Sequence, residues 1–421
     1  DFNCLRWANS RGTQNSSIRN LSLEVIVVKE EKTGARMARL STSSFEPVQL
    51  LKKALLQLET APVNEEYKGF CPPGESYHYV QTYYPSTANL DSPAKAQRLE
   101  AIRCKNEDLW LGGIWESKHA LRCLMASNGL FLQESGTDFT FEVKAMKDGN
   151  SASVYRCGRN VDDFDEDLEV DRSFRALRRA GEKSVLPDGS YTCLFAPEAV
   201  SEICFFISLL GFGGRGYKQG QNFTCHYADK ALFENDAIVL SDNASNPKTL
   251  TRSFDSWGFP RQKLQLIDKG RVCQMAHDQF TANRWEENTG HGDGSPMAML
   301  MELAGGNQNL EKLLEAPEKR LRISRFHYPT IADPCKPLIK GSTKDGTYIS
   351  KGNELTDVGS LEFYFNPVEL LGNTIGASKQ RFTVPQGSLA MSMPGANRVP
   401  WLLVKGIKAS NGSLSLEVDD K

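Results

Sequence analysis

The sequence predicts an α+β protein in two parts. The first part mixes strands with helices, and the second is dominated by short strands and turns. Three observations carry this reading. Runs of β-formers such as Leu21–Val28 (LSLEVIVV) alternate with amphipathic stretches as far as Lys183. A strong turn signal, Leu186-Pro187-Asp188-Gly189, comes next. Beyond it, short strand-forming runs separated by glycine turns outnumber helical patterns. The predicted division is therefore 1–185 and 186–421.

Taken in order, residues 5–42 read as two strands. These are Leu21–Val28 and Ala35–Leu40, joined by a turn at Lys32-Thr33-Gly34. Ser43 and Glu46 have the spacing of a capping box, with Pro47 in the first helical turn. Leu50, Leu51, Ala54, Leu55 and Leu58 then form one apolar face. Residues 62–91 read as loop, and a second helix runs from Ser92 to about Cys104. Strands return at Leu121–Cys123, Leu130–Gln133, Phe139–Met146 and Ser153–Cys157, with turns placed at Gly136 and Asp148-Gly149-Asn150. From Asp162 to Lys183 acid gathers at the start and base at the end, as a helix macrodipole prefers. Leu168, Phe174 and Leu177 give that helix its apolar face.

Past the turn signal, Ser190–Phe195 reads as a strand feeding a helix that starts at Pro197 and runs to Leu210. Two hairpins follow, Leu264–Gln274 and Thr347–Leu355, with a helix near Asn309–Ala316. The segment Gly211-Phe-Gly213-Gly214-Arg-Gly216 formally matches a dinucleotide fingerprint. That fingerprint needs to precede a helix, so that the helix N-terminus meets the phosphate. Here it follows one, and the expected role is a helix end with a tight, closely packed loop.

Composition narrows the function classes. The formal net charge is −2 over 421 residues, with no long run of one sign, which argues against nucleic-acid binding. The longest apolar run, Ile203–Leu210, is too short to span a bilayer. The opening residues DFNCLRWANSRG have no basic stretch leading into an apolar one, so no signal peptide is expected there. Ten cysteines are scattered without any C-x-x-C pair, the pattern of thiols in a reducing, cytoplasmic compartment. Five N-x-S/T triplets, at Asn15, Asn20, Asn222, Asn243 and Asn411, would instead suit a secreted protein.

The chemistry-bearing residues form no familiar set. The histidines are His78, His119, His226, His277, His291 and His327, and none lies within six residues of another. Zinc hydrolysis needs three protein ligands and an open position, and neither H-E-x-x-H nor H-E-x-x-x-H occurs. A site assembled from distant residues stays open, and His226, beside Cys225 and just past the glycine segment, is the foremost candidate for a relocated metal or Cys/His site. No G-x-S-x-G or protease-type cysteine signature is present.

Several blocks resemble one known family in order and spacing. Leu5–Arg11, Gly34–Ser44, the Leu186–Pro197 strand entry, the Pro197–Gly220 frame, Leu264–Val272, Arg322–Phe326 with Asp333-Pro334, Lys344–Gly352 and Phe365–Leu371 are similar to the TldD/TldE (PmbA) metallopeptidases. The resemblance implies an α/β N-terminal domain followed by a mainly antiparallel β C-terminal domain. In catalytic TldD-type chains the central helix carries H-E-x-x-x-H and a late cysteine completes the zinc site. The corresponding residues here are Phe205, Phe206 and Leu210, with Ser392 near the cysteine position. The resemblance therefore implies a non-catalytic, TldE-type subunit with no cofactor of its own. Zinc and catalysis would belong to a TldD-type partner in a heterodimer that encloses small or unfolded peptides. Arg215, Lys218 and His226 are the expected chamber or peptide contacts. Two other readings stay open: a stand-alone peptide-binding scaffold of this fold, and a hydrolase with a site relocated to Cys225 and His226.

Overall fold

The computed structural model describes residues 1–77, 80–227, 230–284, 287–294, 296–334, 336–386 and 395–416. The chain opens with two hairpins rather than the two expected strands. β1 (Phe2–Ala8) turns into β2 (Arg11–Ile18) through Asn9 and Ser10, both at positive φ as a tight two-residue hairpin requires. β2 (RGTQNSSI) is an exposed edge strand with no apolar alternation, so it leaves no hydrophobic signal. β3 (Leu23–Glu30) and β4 (Ala35–Thr42) pair along their whole length. α1 (Pro47–Thr60) starts at Pro47, and the Ser43–Glu46 capping box does not form. Ser44 and Glu46 instead belong to a turn of their own, in which the Ser44 amide donates to Thr42 Oγ1 and the Glu46 amide to Ser44 O. Leu50, Ala54 and Leu58 are buried against β3 and β4, while Leu51 and Leu55 stay exposed.

The stretch expected to be loop holds a short strand, β5 (Val63–Asn64), on the edge of β4, and one helical turn, α2 (Pro85–Ala88). α3 (Ser92–Lys105) begins where expected, with the Asp91 carboxylate accepting from the Ala94 amide at 2.9 Å. β6 (Trp110–Met125) and β7 (Phe131–Lys147) then make one long hairpin, and β8 (Asn150–Gly158) follows. This corrects the turn placed at Gly136. That residue sits inside β7 opposite Ala120, and a Cβ there would lie 3.0 Å from the Arg159 guanidinium. The true turn is at residues 126–129, where the Ala126 amide donates to Leu130 O. α4 (Glu166–Arg179) is capped by Asp165 and buries Val170, Phe174 and Leu177; Leu168, expected on that face, is exposed.

β1, β2, β6, β7 and β8 form a five-stranded sheet in the order β2-β1-β6-β7-β8. Its core includes Trp7, Leu99, Ile102, Trp115, Phe141 and Phe174. The remaining chain builds a twelve-stranded sheet. In order it supplies β9 (Gly189–Phe195), α5 (Pro197–Gly211), α6 (Gly214–Lys218), β10 (Leu240–Asp242), β11 (Leu264–Asp268) and β12 (Arg271–Val272). Next come β13 (Met301–Leu303), α7 (Leu310–Leu314), β14 (Arg320–Asp333), β15 (Leu338–Lys351), β16 (Glu354–Asp357) and β17 (Glu362–Phe365). α8 (Pro367–Gly372), β18 (Thr374–Pro385), β19 (Ala396–Ser410) and β20 (Ser413–Leu416) complete it. Both expected hairpins are present, as β11–β12 and β15–β16.

Most pairings are antiparallel. β9 pairs with β14 on one side and β19 on the other, so β9, β14, β15, β17, β20 and β19 close a cycle of paired strands. α5 packs on this cycle through β14 and β19. Phe195, Phe326, Phe363 and Phe365 stack in its core, with Phe326 and Phe363 ring centroids 4.3 Å apart. Among the described residues no helix is long and apolar enough to cross a membrane.

Candidate functional site

α5 is where the site is built. Its sequence is apolar on every face, and such a helix is stable only when surrounded by protein. Every residue from Pro197 to Gly211 except Glu198 and Leu209 is buried. Its serines are tied to the chain around it. Ser208 Oγ donates to Ala298 O at 2.7 Å, Ser201 Oγ donates to Pro385 O at 3.1 Å, and Asn397 Nδ2 donates to Ser201 O at 2.9 Å. Phe205 and Phe206 are core residues whose rings meet edge to face at 5.2 Å. Leu210 is buried as well, while its neighbour Leu209 is partly open to solvent.

The glycine segment ends α5 by close packing rather than by an unusual backbone. A Cβ at Gly211 would lie 2.3 Å from the Phe223 ring, and one at Gly216 would lie 2.1 Å from Asn222 Oδ1. Asn222 Nδ2 donates to Gly211 O and Gly213 O, and Thr224 Oγ1 donates to Gly211 O, so side chains satisfy the last carbonyls of the helix. The segment is not simply a loop: Gly214–Lys218 is a further helical turn, α6. Asn222 is buried in these contacts and is no acceptor for a glycan.

A cavity of about 630 Å³ opens beside this junction. Leu209, Leu210, Leu250, Met297, Met299 and Leu300 give it an apolar wall, Arg215, Arg252, Arg261 and Asp293 give it charge, and His291 adds a neutral imidazole. Two of these residues, Arg261 and His291, belong to a buried cluster around Asp242 that sequence reasoning missed. Asp242 Oδ2 accepts from Arg261 Nη2 at 3.2 Å and from the Met299 amide at 2.8 Å, and His291 Nε2 lies 3.4 Å away. Burial alone would push the Asp242 carboxyl up, but Arg261, His291 and the amide outweigh it and hold it below its usual range. Burial first, and then the Arg261 charge, hold the His291 imidazole below its ordinary value. Nearby, Asp293 receives Arg122 Nη2 at 3.2 Å, with Arg252 at 3.7 Å. Asp255, buried and facing Asp293, is pushed up to about 6 by burial and that like charge, against three backbone amides that favour its ionised form.

The expected contact residues scatter. Arg215 lines the cavity and reaches Glu66 at 3.7 Å. Lys218 and His226 are exposed and outside its wall. Cys225 Sγ donates to Tyr217 O at 3.5 Å, and Cys225 and His226 form no hydrogen bond with each other. Ser392, His78 and Cys335 lie outside the described residues. Zinc does not fit α5. Two phenyl rings and an isobutyl group stand at the motif positions and offer no lone pair. No group of three or more His, Cys, Asp or Glu among the described residues is placed to hold a metal. All nine described cysteines are free thiols, five of them buried.

Comparison with known proteins places this geometry. The model of the PmbA/TldA metallopeptidase C-terminal domain matches residues 188–411. Uncharacterized protein MJ0231 of Methanocaldococcus jannaschii is 22% identical over 278 residues, 64% of this chain and 63% of that protein, so the match spans less than two thirds of the relative's length. A solved Thermotoga maritima protein, described as a modulator of a DNA gyrase, superposes with a TM-score of 0.81 at 18% identity, covering 96% of this chain and 92% of that one. TldE of Thermococcus kodakarensis superposes with a TM-score of 0.79 at 16% identity, covering 97% and 94%.

Proposed function

The chain belongs to the PmbA/TldA metallopeptidase family, and from that premise we propose that it is a non-catalytic, TldE-type subunit of a heterodimeric zinc peptidase. In this reading a TldD-type partner holds the zinc and cuts small or unfolded peptides in the cytoplasm. This chain, divided at residues 185 and 186, forms part of the enclosing wall. One observation carries the reading. The residues at the positions of the family's zinc motif, Phe205, Phe206 and Leu210, are packed core, and Leu210 lines the cavity of about 630 Å³. A vestigial site would keep a polar hollow, whereas here the space of the ligands is filled with hydrocarbon.

The cavity's chemistry suits an extended peptide. The wall of Leu209, Leu210, Met297 and Met299 takes apolar side chains, and Arg215 and Arg252 at its edge take backbone carbonyls or acidic groups. Lys218 and His226 extend this edge outside the cavity and are proposed as chamber contacts.

The test is metal content and oligomer mass of the purified chain, alone and co-expressed with a chain bearing H-E-x-x-x-H. The expected result is no zinc and no hydrolysis alone, with about one zinc per heterodimer and peptide hydrolysis in the pair. Stoichiometric zinc in the isolated chain, or peptidase activity that survives removal of the partner, overturns the proposal.

A further inference from the structure

We propose that this protein binds a small inorganic oxyanion, of phosphate or sulfate size, between Arg322, Tyr348 and Trp401 at the N-terminal end of α5. The site is a second cavity of about 50 Å³, separate from the one beside the glycine segment. It lies where the two cores meet. β8 and α4 supply Arg156, Glu169 and Arg172. The junction of β9 and α5 supplies Ala196 and Glu198. β14, β15 and β19 supply Arg322, Tyr348 and Trp401.

The charges on this wall do not balance. Arg156 is shared between Glu169 at 2.8 Å and Glu198 at 2.6 Å, and Arg172 reaches Glu169 at 3.0 Å. Two arginines thus answer two glutamates, and Arg322 is left over. It makes no hydrogen bond or ion pair with the described residues, and only stacks on Trp401 with 5.8 Å to the ring centroid. Just beyond the wall, Arg179 and Glu311 add one charge of each sign, Glu311 lying 3.6 Å from Arg172, and the Asp345 and Asp357 carboxylates lie on the Tyr348 side. Burial pushes the Arg322 guanidinium down to about 10, the direction expected of a cation without a counter-ion.

Two further residues lining the same space carry donors without acceptors. The Tyr348 hydroxyl is buried and unpartnered, with the residue 2% exposed, and Trp401 Nε1 is buried and unpartnered. A buried donor left unsatisfied is costly, and the half-buried Arg322 guanidinium gains from a counter-ion. The first turn of α5, a 15-residue helix, forms part of the wall and adds the positive end of its dipole. Water could satisfy the hydroxyl but carries no charge for Arg322. The volume is several times the roughly 10–15 Å³ one water needs. A tetrahedral oxyanion supplies both the charge and enough acceptors for all three donors.

The experiment is isothermal titration of the full chain with inorganic phosphate at constant ionic strength, with melting temperature read in parallel. One phosphate per chain is expected, displaced by sulfate. At about ten times the dissociation constant the melting temperature rises by about 2 °C. Arg322→Met abolishes binding and the phosphate-specific shift, and Tyr348→Phe weakens binding by about tenfold. The variants are essential controls, because phosphate and sulfate also stabilise any protein through exclusion from its surface. No binding to the wild type, equal binding to Arg322→Met, or failure of sulfate to compete overturns the proposal. Should Arg322→Met fail to fold, unchanged affinity in both Tyr348→Phe and Trp401→Phe overturns it.

Discussion

Replacing Asp242 with Asn tests the buried cluster at the large cavity. The change keeps the shape of the side chain and removes one charge. Asp242 is fully buried and Arg261 is 6% exposed at the cavity wall, so the guanidinium loses its counter-ion where water replaces it only in part. Removing one partner of a buried pair costs about 3–5 kcal/mol, most of it the penalty on the charge left behind. Asn keeps one oxygen for the Met299 amide, which now donates to Asp242 Oδ2, so the expected loss sits near the low end, about 3 kcal/mol. If the matched region, residues 188–411, unfolds as a unit, that loss lowers its transition by roughly 6–12 °C.

The assay is scanning calorimetry of the wild type, Asp242→Asn, Arg261→Met and the double variant. The double variant is expected to recover part of the loss, because it removes the stranded charge. The pH dependence supplies a second check. The folded Asp242 carboxyl is held below its ordinary 3.8, so its contribution is present above that pH and is lost as pH falls through the folded value. Asp242→Asn is therefore expected to flatten the acid limb of the stability curve. A loss below about 1 kcal/mol, or a double variant with the sum of the two single losses, would refute the reasoning.

Three other perturbations follow from the same region. Gly211→Ala drives a methyl group into the Phe223 ring, which is buried and has nowhere to go, and should cost about 2 kcal/mol or more by chemical denaturation; a neutral result would mean the ring moves freely. Installing the family motif as Phe205→His, Phe206→Glu and Leu210→His should unfold the chain rather than create a zinc site, since Phe206 is 1% exposed and a carboxylate there has no partner; a folded, zinc-binding triple variant would sink the packing account. His291 should remain neutral when pH is lowered past 6.5, as read from its ring resonances by NMR. The unfolded imidazole takes up a proton there and the folded one does not, so this residue's contribution to stability falls as pH drops through that range; titration at 6.5 or above contradicts the burial argument.

What the sequence made legible is what depends on local composition. α5 announces itself by an apolar run between Pro197 and the glycines, and the absence of zinc ligands from it is a matter of residue identity alone. The hairpins at Lys269-Gly270 and Gly352 are marked by their turn residues. The long β6–β7 hairpin looks fragmented in the sequence because Gly136 resembles a turn residue, and Arg159, from outside the hairpin, explains a glycine there. The capping box failed for a similar reason: the spacing was right, but the preceding strand holds Ser44 in another turn. The Asp242, Arg261 and His291 cluster was invisible, since its members come from β10 and two separate irregular segments. His291 between Thr289-Gly290 and Gly292 was its one local hint, a histidine in a glycine-rich turn where the backbone can approach closely.

The position of β9 sets a timetable for synthesis. β9 and α5 are made early, yet their partners on both sides come late: β14 at residues 321–323 and β19 at residues 402–409. Until the ribosome has passed the end of β19, the almost wholly apolar α5 lacks one of the two strands it packs on most closely. At ordinary elongation rates that interval is roughly 10–40 s. The first five-stranded sheet, whose strands all precede β9, has no such wait. The newborn protein therefore spends much of its synthesis as a finished head trailing a sticky helix. Chaperone capture in that window should be aimed at residues 197–211, and any truncation that deletes β19 should aggregate through the same segment.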